Sequence, residues 1–562
     1  MGTGQKKKDH GGGFLAQGAI LAAAGIIVKL ISLFYRIPVN NILGDQGQGY
    51  YGTAYEIYAL ALLLTSYSMP LAVSKLVSAR LAKGERKNAW KLFKTALILA
   101  MSVGVVVGLV FFFGADLIAT HLLSSPYSAY PLRFLAPGLF VVSTIAVLRG
   151  YFQGLGNMVP TAVSQVIEQI VNATAAILGA SIFIRMGLAI AKEQKKPLLS
   201  AAYGAAGATL GPVLGATAAL VFLGILIYGY RKKMLARQLA RDFTTYEEKR
   251  GELIKIILLT CAPVLLSTTL YNISQSFDVV IFNNVMSAQG MPEKEYVALW
   301  GIFSGKYNTW INVPLAMANA LGVSMMPSLT AAVTTGDKDM ILKKVHLVIR
   351  FAMLIAIPSF VGLAIMSKPI LSLLYHQGDI DTPAMMHHIG AVSIVFFCLS
   401  TVTNAVLQGI NRMMIPVKNA AISLGIHLVG LFIMLAVLHW NVYALVGANI
   451  IFSLSMCVLN QIAIRKAIGY KQEVKKTFLI PLGASLVMGV ATFGVYVLLR
   501  AVTGQTIATI LALIVAVAVY GAALLMFGGL TEAELRSMPK GDVIARIGRK
   551  LHLLRTKQDQ ER

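Results

Sequence analysis

The chain has 562 residues, 57% hydrophobic and 13% charged, with 49 Lys and Arg against 24 Asp and Glu. Soluble globular domains carry about 25% charged residues, whereas here the apolar surplus comes in blocks of ~20 residues, the length that crosses a ~30 Å hydrocarbon core. A soluble globular fold is excluded, and the net charge of +25, which on a soluble chain would point to nucleic acid, reads instead as membrane topology with no nucleic-acid partner.

In chain order, the opening segment MGTGQKKKDHGGG precedes an apolar span too long for a signal-peptide core, so that span is expected to be retained. Fourteen apolar spans are predicted. They begin near Phe14, Tyr51, Phe93, Leu132, Val159, Ala201, Ile254, Val297, Val345, Met386, Pro416, Tyr443, Leu479 and Ile507. With the amino terminus inside, 36 of the 49 Lys and Arg fall on inner segments and 7 on outer ones. Basic loops stay cytoplasmic, so both termini are expected inside a bacterial plasma membrane. The basic loop Arg185 to Lys196 runs against this pattern. The tail GDVIARIGRKLHLLRTKQ places Val543, Ile544, Ile547, Leu551 and Leu554 at helical spacing among basic residues. That pattern suits either an amphipathic helix on an anionic leaflet or a solvated helix. Cys261, Cys398 and Cys457 each lie in an apolar block without metal spacing and read as small hydrophobes.

One phrase occurs twice. VLRGYFQGLGNMVP (Val147 to Pro160) and TNAVLQGINRMMIP (Thr403 to Pro416) both carry Gln-Gly and both reach a proline after a polar turn. LAVSKLVSARLAKG (from Leu71) likewise matches LGVSMMPSLTAAVTTG (from Leu321), pairing Ser74 with Ser324, Ser78 with Ser328 and Ala82 with Ala332. The chain therefore reads as two parallel six-span repeats followed by two extra spans. The expected fold class is an all-α polytopic membrane protein of 14 transmembrane helices. Its parts are an N-lobe over 1–230, a basic cytoplasmic linker over 231–252, a C-lobe over 253–467, the last two spans over 468–530 and the tail over 531–562. Transporters commonly pair such halves around a site near the midplane.

Ionisable residues deep in hydrocarbon are functional candidates by default. Lys29 lies ~22 Å into span 1, and Glu168 and Lys306 lie roughly 13 Å into spans 5 and 8, at ~1.5 Å per residue. Arg36 follows Lys29 by two turns. Lys29, Arg36 and Lys306 are the candidate lining of a cationic cavity for an anionic group, with Glu168 as a cavity carboxylate. The alternative is an ion pair of Glu168 with Lys29 or Lys306 that serves packing alone. Lys75, Arg149 and Arg350 sit near span ends, where they would snorkel or line a cytoplasmic mouth. Glu56 and Asp278 lie near outer span ends and are expected to be wet.

No G-x-x-x-x-G-K-[ST] loop and no H-E-x-x-H occurs, and His387 and His388 are adjacent and so point apart on a helix. Asp379 and Asp381 in GDIDTP would be the acids of a membrane glycosyltransferase, or a solvated turn. No cofactor and no metal are expected; energy would come from the membrane potential or ion coupling.

The 6 + 6 + 2 span arrangement, RGYFQGLGNMVPTAVSQVIEQIV from Arg149 and MPLAVSKLVSARLAKG from Met69 resemble the polysaccharide-biosynthesis and stage V sporulation protein B branch of the MOP exporter superfamily. That branch includes MurJ-type lipid II flippases and Wzx-type oligosaccharide-lipid flippases. The resemblance implies two six-helix lobes and a cationic cavity for the head of an undecaprenyl-pyrophosphate-linked precursor, with spans 13 and 14 helping to hold its tail. It implies a basic first-span residue, which Lys29 matches, and a basic residue on span 8, where Lys306 lies. Where the family often shows an Arg-Asp pair, this chain has YRIP at Arg36, and its span-2 lysine, Lys75, is not deep. The functions in view are a flippase for lipid II or another lipid-linked oligosaccharide, a cation-coupled small-molecule exporter of the same superfamily, the glycosyltransferase, and a scaffold for cell-wall or division machinery.

Overall fold

The computed structural model describes residues 10–232, 239–240 and 242–530, with Asp542 and Arg546 beyond them. The amphipathic helix expected in the tail, like the basic segment 1–9, lies outside the described residues. Among the described residues all regular structure is helical. Contacts divide the chain after Gly301, whereas the charge pattern had suggested a division in the basic stretch 231–252.

The first unit begins with α1, His10–Leu62, which turns at Gly44 (φ 63, ψ −177). That backbone conformation is open essentially to glycine. A π-helical turn, Leu63–Tyr67, leads to α2, Met69–Ala82, opened by Pro70 in its first turn. Then come α3 (Arg86–Phe113), α4 (Ala129–Gly154), α5 (Val159–Gln194, opened by Pro160), α6 (Leu198–Tyr230), α7 (Arg250–Asn272), α8 (Ser274–Ala288) and α9 (Glu293–Gly301). Proline suits a helix start because its missing N–H would have no partner there. The core of this unit gathers Val73, Val77, Leu92, Phe93, Ile145, Leu148, Leu223 and Leu253.

The second unit opens with a π-helical turn, Ile302–Tyr307, followed by α10 (Asn308–Thr335) and α11 (Lys338–Leu374). α12 (Asp381–Gly390) and α13 (Ser393–Gly409) meet at a 54° bend. α14 (Met414–Phe432), α15 (Tyr443–Ile468), α16 (Ile480–Thr503) and α17 (Gln505–Met526) complete it. α16 and α17 pack on α11 through Leu354, Ala484, Ala523 and Leu524 at one level and through Met366, Tyr496, Ala508 and Ala512 at another.

Among the described residues, eleven helices are long and apolar enough to cross a membrane, or twelve if the bent α12–α13 pair is one span. Fourteen were expected. The first two expected spans fall in one candidate, Ala23–Ala82, which is two helices joined across the kink at Gly44.

The repeated phrase has a physical counterpart inside each unit. In the first, a Cβ on Gly154 would stand 2.9 Å from the Cβ of Val77, and one on Gly150 would stand 2.8 Å from the carbonyl oxygen of Pro70. In the second, a Cβ on Gly409 would stand 2.7 Å from Leu329, and one on Gly322 would stand 3.0 Å from Ala405. The Gln-Gly end of one helix thus lies against the matched segment of the other in both copies. Gln-Gly recurs because small residues let those helices approach closely.

The α5–α6 hairpin is built on the same principle. Gly207, Gly211 and Gly215 recur every four residues along α6 and face α5, where a Cβ on Gly207 would stand 2.2 Å from the carbonyl oxygen of Gly179. Backbone cannot yield as a side chain can. Gly207→Ala is therefore expected to destabilise the protein by roughly 1–3 kcal/mol, the usual cost of overpacking. Gly224→Ala in the same helix, where a Cβ meets nothing within 4 Å, should leave stability unchanged. Thermal unfolding of the two purified variants measures the contrast.

Candidate functional site

The polar groups of the first unit concentrate where α1, α4 and α5 meet. Ser32 and Tyr35 lie one turn apart on α1. Gln169 donates to the Ser32 hydroxyl at 2.8 Å, and Asn172, one turn further along α5, donates to the Tyr35 hydroxyl at 3.4 Å. These bonds fix the register of α1 on α5. Arg36 follows directly on α1. Its side chain is exposed and lies within electrostatic reach of Tyr35, Tyr51 and Tyr55. The rings of Tyr51 and Tyr55 stack at 5.7 Å. Glu56 faces both Arg36 and the buried Asp278 of α8.

Glu56 and Asp278 were expected to be wet. Glu56 is instead half-buried and Asp278 is buried. A carboxyl within electrostatic reach of Arg36, absent beside it in YRIP, is thus supplied by Glu56 from later in α1. Sequence reasoning missed this group because its members are 20 or more positions apart; the one signal was that both acids interrupt apolar spans.

Lys29 lies two turns before Arg36 and is exposed. Among the described residues it makes no hydrogen bond or ion pair. Beside these two cations, α1 and α5 form an apolar groove of about 430 Å³, lined by Leu30, Phe34, Tyr35, Pro38 and Ile177 among others.

Arg149 has its partners inside the fold. It points to α5, where Nη2 donates to Glu168 Oε2 at 2.6 Å and Nε donates to the Ser164 hydroxyl at 2.9 Å. The partner of Glu168 is therefore Arg149, and neither lysine weighed for that role. The matched position in the second repeat, Asn404, is also tied to the helix that follows, through neutral amides. Asn460 donates to Asn404 at 2.8 Å and Asn419 donates to Asn460 at 2.8 Å. One repeat closes the joint with an ion pair and the other with an amide chain. Lys75 is exposed on α2. Arg350 donates to the carbonyl of Gly529, just past the C-terminus of α17, where a cation complements the helix dipole.

Lys306 was grouped with Lys29 and Arg36. It is fully buried instead. Its ammonium donates to the carbonyls of Gln377 at 3.2 Å and Asp379 at 2.9 Å, and lies 5.7 Å from the centre of the Tyr375 ring. A four-carbon stem delivers the ammonium to two carbonyls, which take two of its three donors, and these bonds tie down the 375–379 turn. Asp379 and Asp381 also have structural partners. Asp379 Oδ1 accepts the backbone N–H groups of Asp381 and Thr382 at 2.8 and 3.2 Å, and Asp381 pairs with Lys368 at 2.5 Å. Burial pushes the Asp379 carboxyl up, but Thr382, the Asp381 N–H and Lys306 outweigh it and hold the group below the usual carboxylate range. His387 and His388 do point apart, to the carbonyls of Pro383 and Ala364, and no metal-binding cluster occurs among the described residues.

Lys306→Ala is expected to lower thermal stability. It removes two charge-assisted hydrogen bonds that hold the 375–379 turn, at about 1.5–3 kcal/mol. Thermal unfolding and membrane level should both fall; an unchanged melt with lost transport would restore the cavity role.

The family model for polysaccharide biosynthesis proteins matches residues 14–333, and that for the lipid II flippase MurJ matches residues 304–517. Stage V sporulation protein B of Bacillus subtilis (strain 168) is 25% identical over 402 residues, covering 71% of this chain and 73% of that protein. The lipid II flippase MurJ of the same organism is 26% identical over 494 residues, covering 84% and 86%. In three dimensions the chain is similar to the lipid II flippase MurJ in its inward closed conformation, with a TM-score of 0.65 and 13% identity over 91% of this chain and 98% of that one. That likeness shows a shared fold. Two of these matches are to lipid II flippases, and another solved structure of similar fold is a multidrug transporter. The chain belongs to the polysaccharide biosynthesis protein family, as a multi-pass membrane protein of the MOP superfamily of the stage V sporulation protein B and MurJ type.

Proposed function

We infer that the protein is a flippase that carries an undecaprenyl-pyrophosphate-linked cell-wall precursor, lipid II, from the inner to the outer leaflet by alternating access. One observation carries this reading: Lys29 and Arg36 stand exposed on one stretch of α1 beside an apolar groove on the same helix. The arrangement complements a molecule with an anionic head and an apolar tail. A diphosphate-sugar head loses its hydration in hydrocarbon. Lys29 offers it a point charge and Arg36 a planar fork for phosphate oxygens. The family supports a lipid-linked cargo, and MurJ among the relatives supports lipid II in particular.

A second reading concerns energy coupling. Glu56 lies within electrostatic reach of both Asp278 and Arg36, and two neighbouring carboxylates can hold a bound cation. On this reading, ion binding at the pair releases Arg36 for the substrate.

Hydrogen bonds to charged groups are worth about 1.5–3 kcal/mol, so Lys29→Ala and Arg36→Ala should each weaken substrate binding by roughly tenfold or more. Both should fail to support growth of a depleted strain at normal membrane levels. Full complementation by both would sink the cationic-site reading. Depletion itself should cause lipid II to accumulate on the inner leaflet; accumulation of a different undecaprenyl-linked species would reassign the cargo. Glu56→Gln should remove the dependence of transport on the ion gradient while leaving substrate binding intact, and an unaltered dependence would exclude the coupling role.

A further inference from the structure

The segment after α6 contains more than the basic residues that drew attention to it. Its acidic residues fasten it as a strap over the start of α3. Arg80 holds Glu248 through two bonds of 2.6 Å. Asn88 donates to the Tyr246 carbonyl at 2.8 Å and accepts the Glu248 N–H at 3.1 Å. The Phe243 N–H donates to the Gly84 carbonyl at 3.1 Å, and the Lys87 N–H donates to Asp242 at 3.0 Å.

Between strap and helix lies a cavity of about 330 Å³, lined by Lys87, Lys91, Lys94 and Arg250, with Trp90 and a single carboxylate, Glu247. The lysines recur at helical spacing on one face of α3. Lys87 and Lys91 make only long ion pairs with the strap, at 3.8 and 3.7 Å. Lys94 and Arg250 have no hydrogen-bond or ion-pair partner among the described residues. Trp90 is anchored against Phe93 at 5.1 Å and Tyr151 at 5.7 Å, so the cavity has a rigid aromatic wall. With Lys87 and Lys91 only loosely paired to Asp242 and Glu247, Lys94 and Arg250 leave a surplus of positive charge that calls for an anion.

The same face continues into the apolar part of α3. Ile98 also lines the cavity and is 55% exposed; Val105, Leu109 and Phe112 follow it at helical spacing and are exposed too. A tryptophan and lysines at the end of an apolar span mark the headgroup level. We propose that this cavity is a binding site for the phosphate headgroup of an anionic glycerophospholipid of the inner leaflet, whose acyl chain lies along the Ile98–Phe112 stripe. A bound lipid bridges strap and helix and holds the segment between α6 and α7 in one arrangement. The chemistry recognised is a phosphate monoanion or diester. The apolar stripe directly below favours a lipid over a soluble phosphate.

The test uses the full chain purified in detergent and titrated with phosphatidylglycerol or phosphatidylcholine of matched acyl chains, with bound copies counted by native mass spectrometry. Phosphatidylglycerol should bind preferentially. Lys94→Ala combined with Arg250→Ala should weaken it by roughly ten- to thirtyfold, the weight of two basic residues at an anionic surface. Lys232→Ala, exposed and outside the cavity, should have no effect. Should the double variant not fold, Lys94→Ala alone carries the same comparison with a smaller loss. Unchanged phosphatidylglycerol binding in the variant overturns the site. Displacement of the lipid by millimolar inorganic phosphate or glycerol phosphate overturns the lipid assignment in favour of a soluble anion.

Discussion

An ion held in hydrocarbon must find a counter-charge, a set of hydrogen-bond partners or water. The protein meets this requirement differently at each deep charge, and the differences separate scaffold from site. Lys306 is caged by two carbonyls and an aromatic face. Arg149 and Glu168 satisfy one another and hold α4 on α5. Removing one member of such a pair leaves an uncompensated charge, which accounts for its value to the fold irrespective of transport. Arg36 has tyrosines and an acid around it yet stays exposed, and Lys29 stays exposed with no partner among the described residues. These two retain the capacity to bind something else.

The helices that present these groups are joined by small residues rather than by large apolar ones. Between helices in a bilayer, lipid tails compete equally well for a leucine, so close packing and backbone approach decide which pairs associate. Gly207 facing Gly179, and Gly154 and Gly409 at the ends of the repeated phrase, are where that closeness is taken up. Rigid pairing of α4, α5 and α6 gives α1 a fixed surface. The Ser32–Gln169 and Tyr35–Asn172 bonds then set which face of α1 carries Lys29 and Arg36 outward.

The strap shows a different use of charge. The stretch 231–252 is basic overall, but its contacts with the helices are made chiefly by Asp242, Glu247 and Glu248. Burial pushes the Asp242 carboxyl up, while the Lys87 and Arg86 N–H groups and Thr244 together hold it below the ordinary carboxylate range. The carboxylates organise the segment, and among its described cations Arg231, Lys232, Lys249 and Arg250 stay exposed. Net charge alone hides this division of labour.

The amino-acid sequence by itself determined the helical membrane class, the internal duplication and the short list of deep charges. Each follows from one-dimensional quantities: apolar run length, recurrence of a phrase, and position along a span. The resemblance to the flippase branch rested on the same local words, and the family match agrees with it. Sequence could not separate Lys29 from Lys306, because depth along a helix does not say which way a side chain points or what the opposite helix offers. Nor could it pair Arg149 with Glu168, or gather Arg36, Glu56 and Asp278. Those relations depend on helix rotation and register, which are set by glycine contacts and amide bonds between segments far apart in the chain. Tertiary structure alone decided which charges are spent on the fold and which remain available, because only packing determines where water and partners can reach.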